Sequence, residues 1–223
     1  MEIENVKPED IERKSFEIIT EELAKTGVVI NGSIPVDKKC QKGRFFLTLS
    51  VIKRCIHTTA DFDYAKTMYF SEGATERLAE LIRKGATIVT DTNMALAGIN
   101  KRELAKHRCD IRCFMADDEV AKEAKERGLT RAHVSMERAM RIAGPVIFVV
   151  GNAPTALITL REYHDRGSYD PAFIVGVPVG FVNVVSAKEL ITGSDIPHIV
   201  NSGRKGGSNV AAAIVNAILY NME

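Results

Sequence analysis

Five short apolar runs, each followed by a stretch of helical character, set the narrowest limit on how this chain can fold. They read ATIVT at 86–90, DIRCFM at 110–115, PVIFVV at 145–150, AFIVGV at 172–177 and PHIVN at 197–201. Strands that are apolar on both faces belong inside a sheet covered on both sides, and helices between them supply the crossovers of a parallel sheet. Right-handed crossovers then predict an α/β fold, a doubly wound, flavodoxin-like parallel sheet in a three-layer α/β/α sandwich. The intervening helices are expected over ADDEVAKEAKERG, TRAHVSMERAMRIAG and APTALITLREYHDRG, with GSNVAAAIVNAILYN closing the chain. Upstream, PEDIERKSFEIITEELAKTG carries Ile11, Ile18, Ile19 and Leu23 at helical spacing, with Pro8 and acids at its start and Gly27 at its end. Further helices are expected from about Leu47 to Thr59 and from Gly73 to Lys84, and the Gly- and Pro-broken stretch between residues 28 and 46 reads as a loop or a small hairpin. No linker or repeat divides the chain, so residues 1–223 read as one domain.

Composition narrows the class of function. Thirty basic and 29 acidic residues leave a net charge of +1, without the basic excess of a protein that grips a nucleic-acid backbone. The four cysteines, Cys40, Cys55, Cys109 and Cys113, have neither zinc-site spacing nor a disulfide framework, and read as buried thiols of a reducing compartment. The acidic, polar start has no secretion-signal pattern and no apolar run is long enough to span a bilayer, so a cytoplasmic protein is expected, with no membrane or nucleic-acid partner.

In such a sheet, ligands bind beyond the carboxyl ends of the strands. The residues there are Asp91-Thr92-Asn93, GNAPT at 151–155, PVGF at 178–181 and SGRKGGSN at 202–209. In GNAPT, Gly151 allows a tight turn, Asn152 is a candidate helix cap, and Pro154 suits the first helical turn. Helix N-termini present free N–H groups and partial positive charge to an anion. In the last turn three glycines let the backbone approach a ligand closely, while Arg204 and Lys205 add charge, and Arg204 can hold a carboxylate through two parallel hydrogen bonds. Neither turn matches a nucleotide-binding pattern. The candidate ligand contacts on these turns are Thr92, Asn152, Thr155, Gly180, Arg204, Gly206, Gly207 and Ser208.

Five histidines are available as proton donors. His107 and His164 end charged helical stretches, as a cap or surface residue would; His133 falls early in a helix and His198 begins a strand. His57 follows the apolar helix LTLSVIKRCI, with Lys53 one turn earlier on the same face.

GNAPTAL at 151–157, GVPVGFV at 176–182, Lys188, and GRKGGS at 203–208 resemble, in order and spacing, the precorrin-8 and cobalt-precorrin-8 methylmutase family. RKSFEII at 13–19, Ile56-His57, TDTNMALAGI at 90–99 and LTR at 129–131 extend the resemblance over nearly the whole chain. It implies a homodimeric isomerase of cobalamin biosynthesis that shifts a methyl group between neighbouring ring-C carbons of a tetrapyrrole, giving a corrin product. It further implies His57 as the catalytic general acid, Ser15 and Arg131 at the substrate, Lys188 beside them, no metal site and no cofactor, although the substrate can carry cobalt. The segment from about 27 to 46 is longer than the family's, and Ser186-Ala187 replaces its usual glutamate-serine before the lysine. A non-catalytic tetrapyrrole carrier and a flavin- or nucleotide-binding protein are the alternative readings of the same fold.

Overall fold

The computed structural model describes residues 7–27, 29–30, 34–35 and 45–222. After a 3-10 turn at Pro8–Asp10, the elements are α1 (Ile11–Thr26), β1 (Val29–Ile30), β2 (Ile34–Pro35), α2 (Phe46–Thr59), α3 (Tyr64–Thr67), β3 (Met68–Phe70), α4 (Ala74–Arg83), β4 (Thr87–Thr90), α5 (Asn93–Gly98), α6 (Lys101–Lys106), β5 (Ile111–Arg112), α7 (Asp118–Arg127), α8 (Arg131–Ala139), β6 (Val146–Val150), α9 (Pro154–Asp165), β7 (Phe173–Gly176), α10 (Val184–Thr192), β8 (His198–Asn201) and α11 (Ser208–Asn221).

All five expected strands are present, in one six-stranded sheet of order β3-β8-β7-β6-β4-β5. Numbered by their own sequence, the five parallel strands lie in the order 2-1-3-4-5, the flavodoxin-like arrangement, with its switch point between β4 and β6. The sheet is not wholly parallel. β3 adds a sixth strand antiparallel to β8, pairing Met68 with Asn201 and Phe70 with Ile199. Its three residues alternate buried, exposed, buried, and they follow α3 directly, so no apolar run announces them. β1 and β2 form a separate antiparallel pair, which makes the early segment a hairpin there. Residues 28, 31–33 and 36–44 of the long 27–46 segment, Cys40 among them, lie outside the described residues.

Side chains alternate along β6 between two cores. Ile147 and Val149 face a cluster with α1, α2, α4 and α11. Val146, Phe148 and Val150 face a second cluster with α8, α9 and α10. That is the three-layer sandwich, and it explains why these strands are apolar throughout. Cys55 is buried, Cys109 and Cys113 are half-buried, and all three are free thiols. Burial pushes the Cys109 thiol up to about 11, well away from reactive thiolate chemistry. No helix among the described residues is long and apolar enough to cross a membrane.

Candidate active site

The strand-end turns converge at the switch point. Thr92 ends the β4 turn and caps α5, its hydroxyl accepting the Ala95 N–H at 3.1 Å. The same hydroxyl lies 2.7 Å from that of Ser208, the first residue of α11. Gly151 meets the 207–208 backbone so closely that a Cβ there would sit 2.7 Å from the Ser208 Cα and 2.9 Å from the Gly207 carbonyl. Gly206 is packed tighter still, since a Cβ would fall 2.1 Å from the Val177 carbonyl oxygen. The Gly207 N–H donates to that same oxygen at 2.9 Å, and the Gly180 N–H donates to the Arg204 carbonyl at 3.3 Å. Glycine at 206 is therefore a matter of space: the last turn lies directly on the end of β7.

A buried aspartate organises the β6 turn. Asp91, fully buried, accepts the N–H of Gly151 at 2.8 Å through one carboxylate oxygen. Its other oxygen accepts those of Asn152 at 2.8 Å and Ala153 at 2.6 Å. Burial pushes this carboxyl above the usual range, and the three amides oppose that push by stabilising its charged form. Sequence reasoning passed over Asp91 because its partners lie some sixty residues away. The available signal was an acid directly after a buried strand, in a fold whose neighbouring turn has free N–H groups to satisfy.

The expectation that Asn152 caps α9 is corrected. The cap position is Ala153, with Pro154 in the first turn and no side-chain cap. Once its backbone N–H is held by Asp91, Asn152 leaves its exposed side chain free to face a ligand. Thr155 is half-buried in the first turn of α9, and its carbonyl accepts the Thr159 hydroxyl at 2.9 Å.

Arg131 opens α8 and is exposed, after Thr130 has capped the helix by accepting the His133 N–H at 3.1 Å. α8 and α9 run side by side in step: His133 meets Thr159 at 2.9 Å and Glu137 meets Tyr163 at 2.6 Å. This register sets Arg131 level with the start of α9, at the same edge of the sheet as Thr155. Glu137, 9% exposed, also holds Arg127 and lies 3.1 Å from His133. Arg127 above all, then Tyr163 and His133, hold its carboxyl down at about 2 against the opposing effect of burial. A carboxyl depressed in the folded state stabilises the fold above its unfolded value of 4.5 and loses that contribution as pH falls towards 2. Glu137→Gln is accordingly expected to cost roughly 1–2 kcal/mol at pH 7, or about 3–8 °C. The gap to the wild type should close in melting curves recorded between pH 4.5 and 2.

His57 lies in the last turn of α2 and is exposed. Its ring stacks on Phe16 of α1, with centroids 5.1 Å apart and planes 15° off parallel. The neighbouring Ser15 is half-buried, its hydroxyl donating to the Ile11 carbonyl at 2.8 Å. Phe16 also lines a cavity of about 540 Å³ with Arg13, Ser50, Lys53 and Arg54. Just past α2, Asp61 and Asp63 bind the Lys205 ammonium at 2.6 and 2.7 Å. This latch ties the end of the His57 helix to the glycine turn that carries Arg204. Beside this turn the Arg204 guanidinium lies 5.4 Å over the Phe181 ring, and Phe181, Val182 and, at the start of α5, Met94 are 81%, 78% and 71% exposed. His57 and Ser15 form one group on α1 and α2. Thr92, Asn152, Gly180, Arg204, Gly206, Gly207 and Ser208 form another at the strand ends, with Thr155 and Arg131 along the same edge. Lys188 lies behind the last turn, with its amine on the Gly203 and Lys205 carbonyls at 2.8 Å each. Of the remaining histidines, His107 follows α6 as its cap residue, and His164 ends α9 beside Asp195 and Asp170.

Three comparisons bear on this arrangement. The sequence pattern of the precorrin-8X methylmutase family matches residues 10–221. The cobalt-precorrin-8 methylmutase of Salmonella typhimurium is 42% identical over 217 residues, covering 97% of this chain and 96% of that protein. The precorrin-8X methylmutase of Pseudomonas aeruginosa is 36% identical, covering 76% of this chain and 82% of that protein. The crystal structure of precorrin-8x methyl mutase from Thermus thermophilus superposes with a TM-score of 0.79 at 33% identity, covering 95% of this chain and 96% of that one. With the flavodoxin-like order, the glycine turns at its switch point and a match across 10–221, the chain belongs to the precorrin-8X methylmutase family.

Proposed function

We propose that this protein shifts a methyl group between neighbouring ring-C carbons of precorrin-8 or its cobalt complex, with His57 as general acid. Membership of the family makes the chain an isomerase of the methylmutase type in cobalamin biosynthesis. The finer reading rests on one observation above all: an exposed histidine, stacked on Phe16, is latched through Asp61, Asp63 and Lys205 to a turn rich in anion donors.

The substrate is a flat apolar macrocycle edged with carboxylates. Phe181, Val182 and Met94 supply apolar contact for the ring. The N–H groups opening α11, with Thr92, Asn152, Thr155 and Ser208, and the guanidinium groups of Arg131 and Arg204, supply anion contacts for its rim. Gly180, Gly206 and Gly207 keep the backbone low enough for the ring to approach, and Ser15 contributes a hydroxyl beside the histidine.

In the reaction, one carbon–methyl bond breaks and another forms on the adjacent carbon, so substrate and product are isomers and no electrons leave. His57 lends a proton to the ring nitrogen next to the migrating methyl, drawing electron density as the bond shifts, and recovers it afterwards. That balance calls for no redox partner and no cofactor of the protein's own; cobalt, when present, arrives as part of the substrate. These exposed apolar side chains suit a homodimer in which a second copy closes the other face of the ring.

The test is incubation of the purified protein with the precursor, metal-free and cobalt-bound, followed by absorbance. The expected result is growth of the corrin spectrum with one of the two. Failure to convert either form would remove the enzymatic reading and leave a tetrapyrrole carrier, which binds the product without making it.

A further inference from the structure

Lys188 is a cation in an apolar place. α10 turns Val184, Ala187 and Ile191 inward, and Lys188 shares that face, so that its side chain is only 1% exposed. Its ammonium donates to the carbonyls of Gly203 and Lys205, at 2.8 Å each. Among the described residues no carboxylate pairs with it, and burial alone pulls it down to about 8. A buried cation without a counter-ion costs several kcal/mol, and an apolar side chain of the same length would avoid that cost. The placement therefore calls for an explanation beyond packing.

The turn supplies one. The carbonyls on either side of Arg204 point inward to the same ammonium, while the Asn201 side chain donates to the Lys205 carbonyl at 2.9 Å. Arg204 between them is exposed, with its guanidinium over Phe181. Gly206 and Gly207 follow, pressed onto Val177, and the N-terminus of α11 begins at Ser208. Lys205, the other cation of the turn, is already neutralised by Asp61 and Asp63. Of the cations at this turn, Arg204 in front and Lys188 behind are thus the two with no carboxylate partner among the described residues.

We propose that Lys188 is a positioning residue: by gathering the Gly203 and Lys205 carbonyls behind the turn, it holds the Arg204 guanidinium and the first N–H groups of α11 outward to receive one carboxylate of the substrate. It touches no substrate atom itself. This inference rests on the tetrapyrrole reading above, and it assigns to that reading the turn that grips an acidic side chain of the ring.

The experiment uses the full-length chain and the coloured corrin product, titrated by absorbance, together with kcat and KM. Lys188→Met is expected to weaken product affinity and raise KM by about 10- to 100-fold, the effect of losing charged hydrogen bonds, while kcat changes by less than about threefold. Arg204→Gln should do the same. The double variant should be scarcely weaker than either single one, because both act on one carboxylate. Should the methionine variant fail to fold, Lys188→Gln, which keeps a donor for one carbonyl, is read in the same way. Wild-type product affinity and KM retained in the Lys188 variant would overturn the proposal, as would effects of Lys188 and Arg204 that simply multiply. Absence of product binding by the wild type would instead remove the tetrapyrrole reading, and this inference with it.

Discussion

His57→Ala is expected to lose turnover by about 10²- to 10⁴-fold and to keep product affinity within a few-fold of the wild type. The large effect on rate follows from the proposed role. A proton lent to the ring nitrogen acts while the methyl migrates, and deleting the donor removes an interaction made only then. The small effect on affinity follows from geometry. The imidazole is exposed at the end of α2 and packs on Phe16, whereas the proposed anion contacts belong to the strand-end turns. Removing the ring opens no hole in the core, so the melting temperature should stay within about 3 °C of the wild type. Single-turnover absorbance with precursor, and equilibrium titration with product, measure the two quantities. A variant that turns over at the wild-type rate would take the proton donor away from position 57. A variant that loses rate and product affinity together would make His57 a binding residue.

The second large effect is expected at Asp91, and it falls on stability as well as on activity. In Asp91→Asn the amide nitrogen must replace one carboxylate oxygen, setting a donor against the N–H of Gly151 or against those of Asn152 and Ala153. Each buried N–H left without an acceptor costs roughly 1–3 kcal/mol, so a total of about 2–4 kcal/mol is expected. For a chain of this size that corresponds to about 5–15 °C in melting temperature, with a matching fall in the urea midpoint. Product binding should weaken as well, since the turn that loses its acceptor carries Asn152 and leads into the N-terminus of α9. A melting temperature within 2 °C of the wild type would show that the three amides do not depend on this carboxylate.

The fold was largely legible in advance because its central strands are buried on both faces. ATIVT and PVIFVV have to be apolar throughout, and that is what a reader of sequence detects. Met68–Phe70 escaped because a three-residue edge strand, half in contact with solvent, need not differ from a loop. The turns of the site were legible through their glycines and their place after the strands. What could not be read were the partners. Asp91 looks like a helix cap beside Thr92, which is the real cap, and only the return of the chain at 151–153 reveals its task. Lys188 passes for a surface lysine until the period of Val184, Ala187 and Ile191 is counted, which puts it on the inner face. A site beyond the carboxyl ends of the strands was expected from topology, but its contacts depend on pairings such as Thr92 with Ser208, more than a hundred residues apart.

The backbone contact between Gly151 and Ser208 has a further consequence for chimeras built with relatives. A breakpoint anywhere between these two positions would join a 151 turn from one parent to a 208 turn from another. If either parent carried a side chain at 151, it would strike the incoming helix start, so such hybrids should collapse at this junction. Breakpoints before 151 or after 208 keep both halves of the contact from a single parent and should give well-folded hybrids.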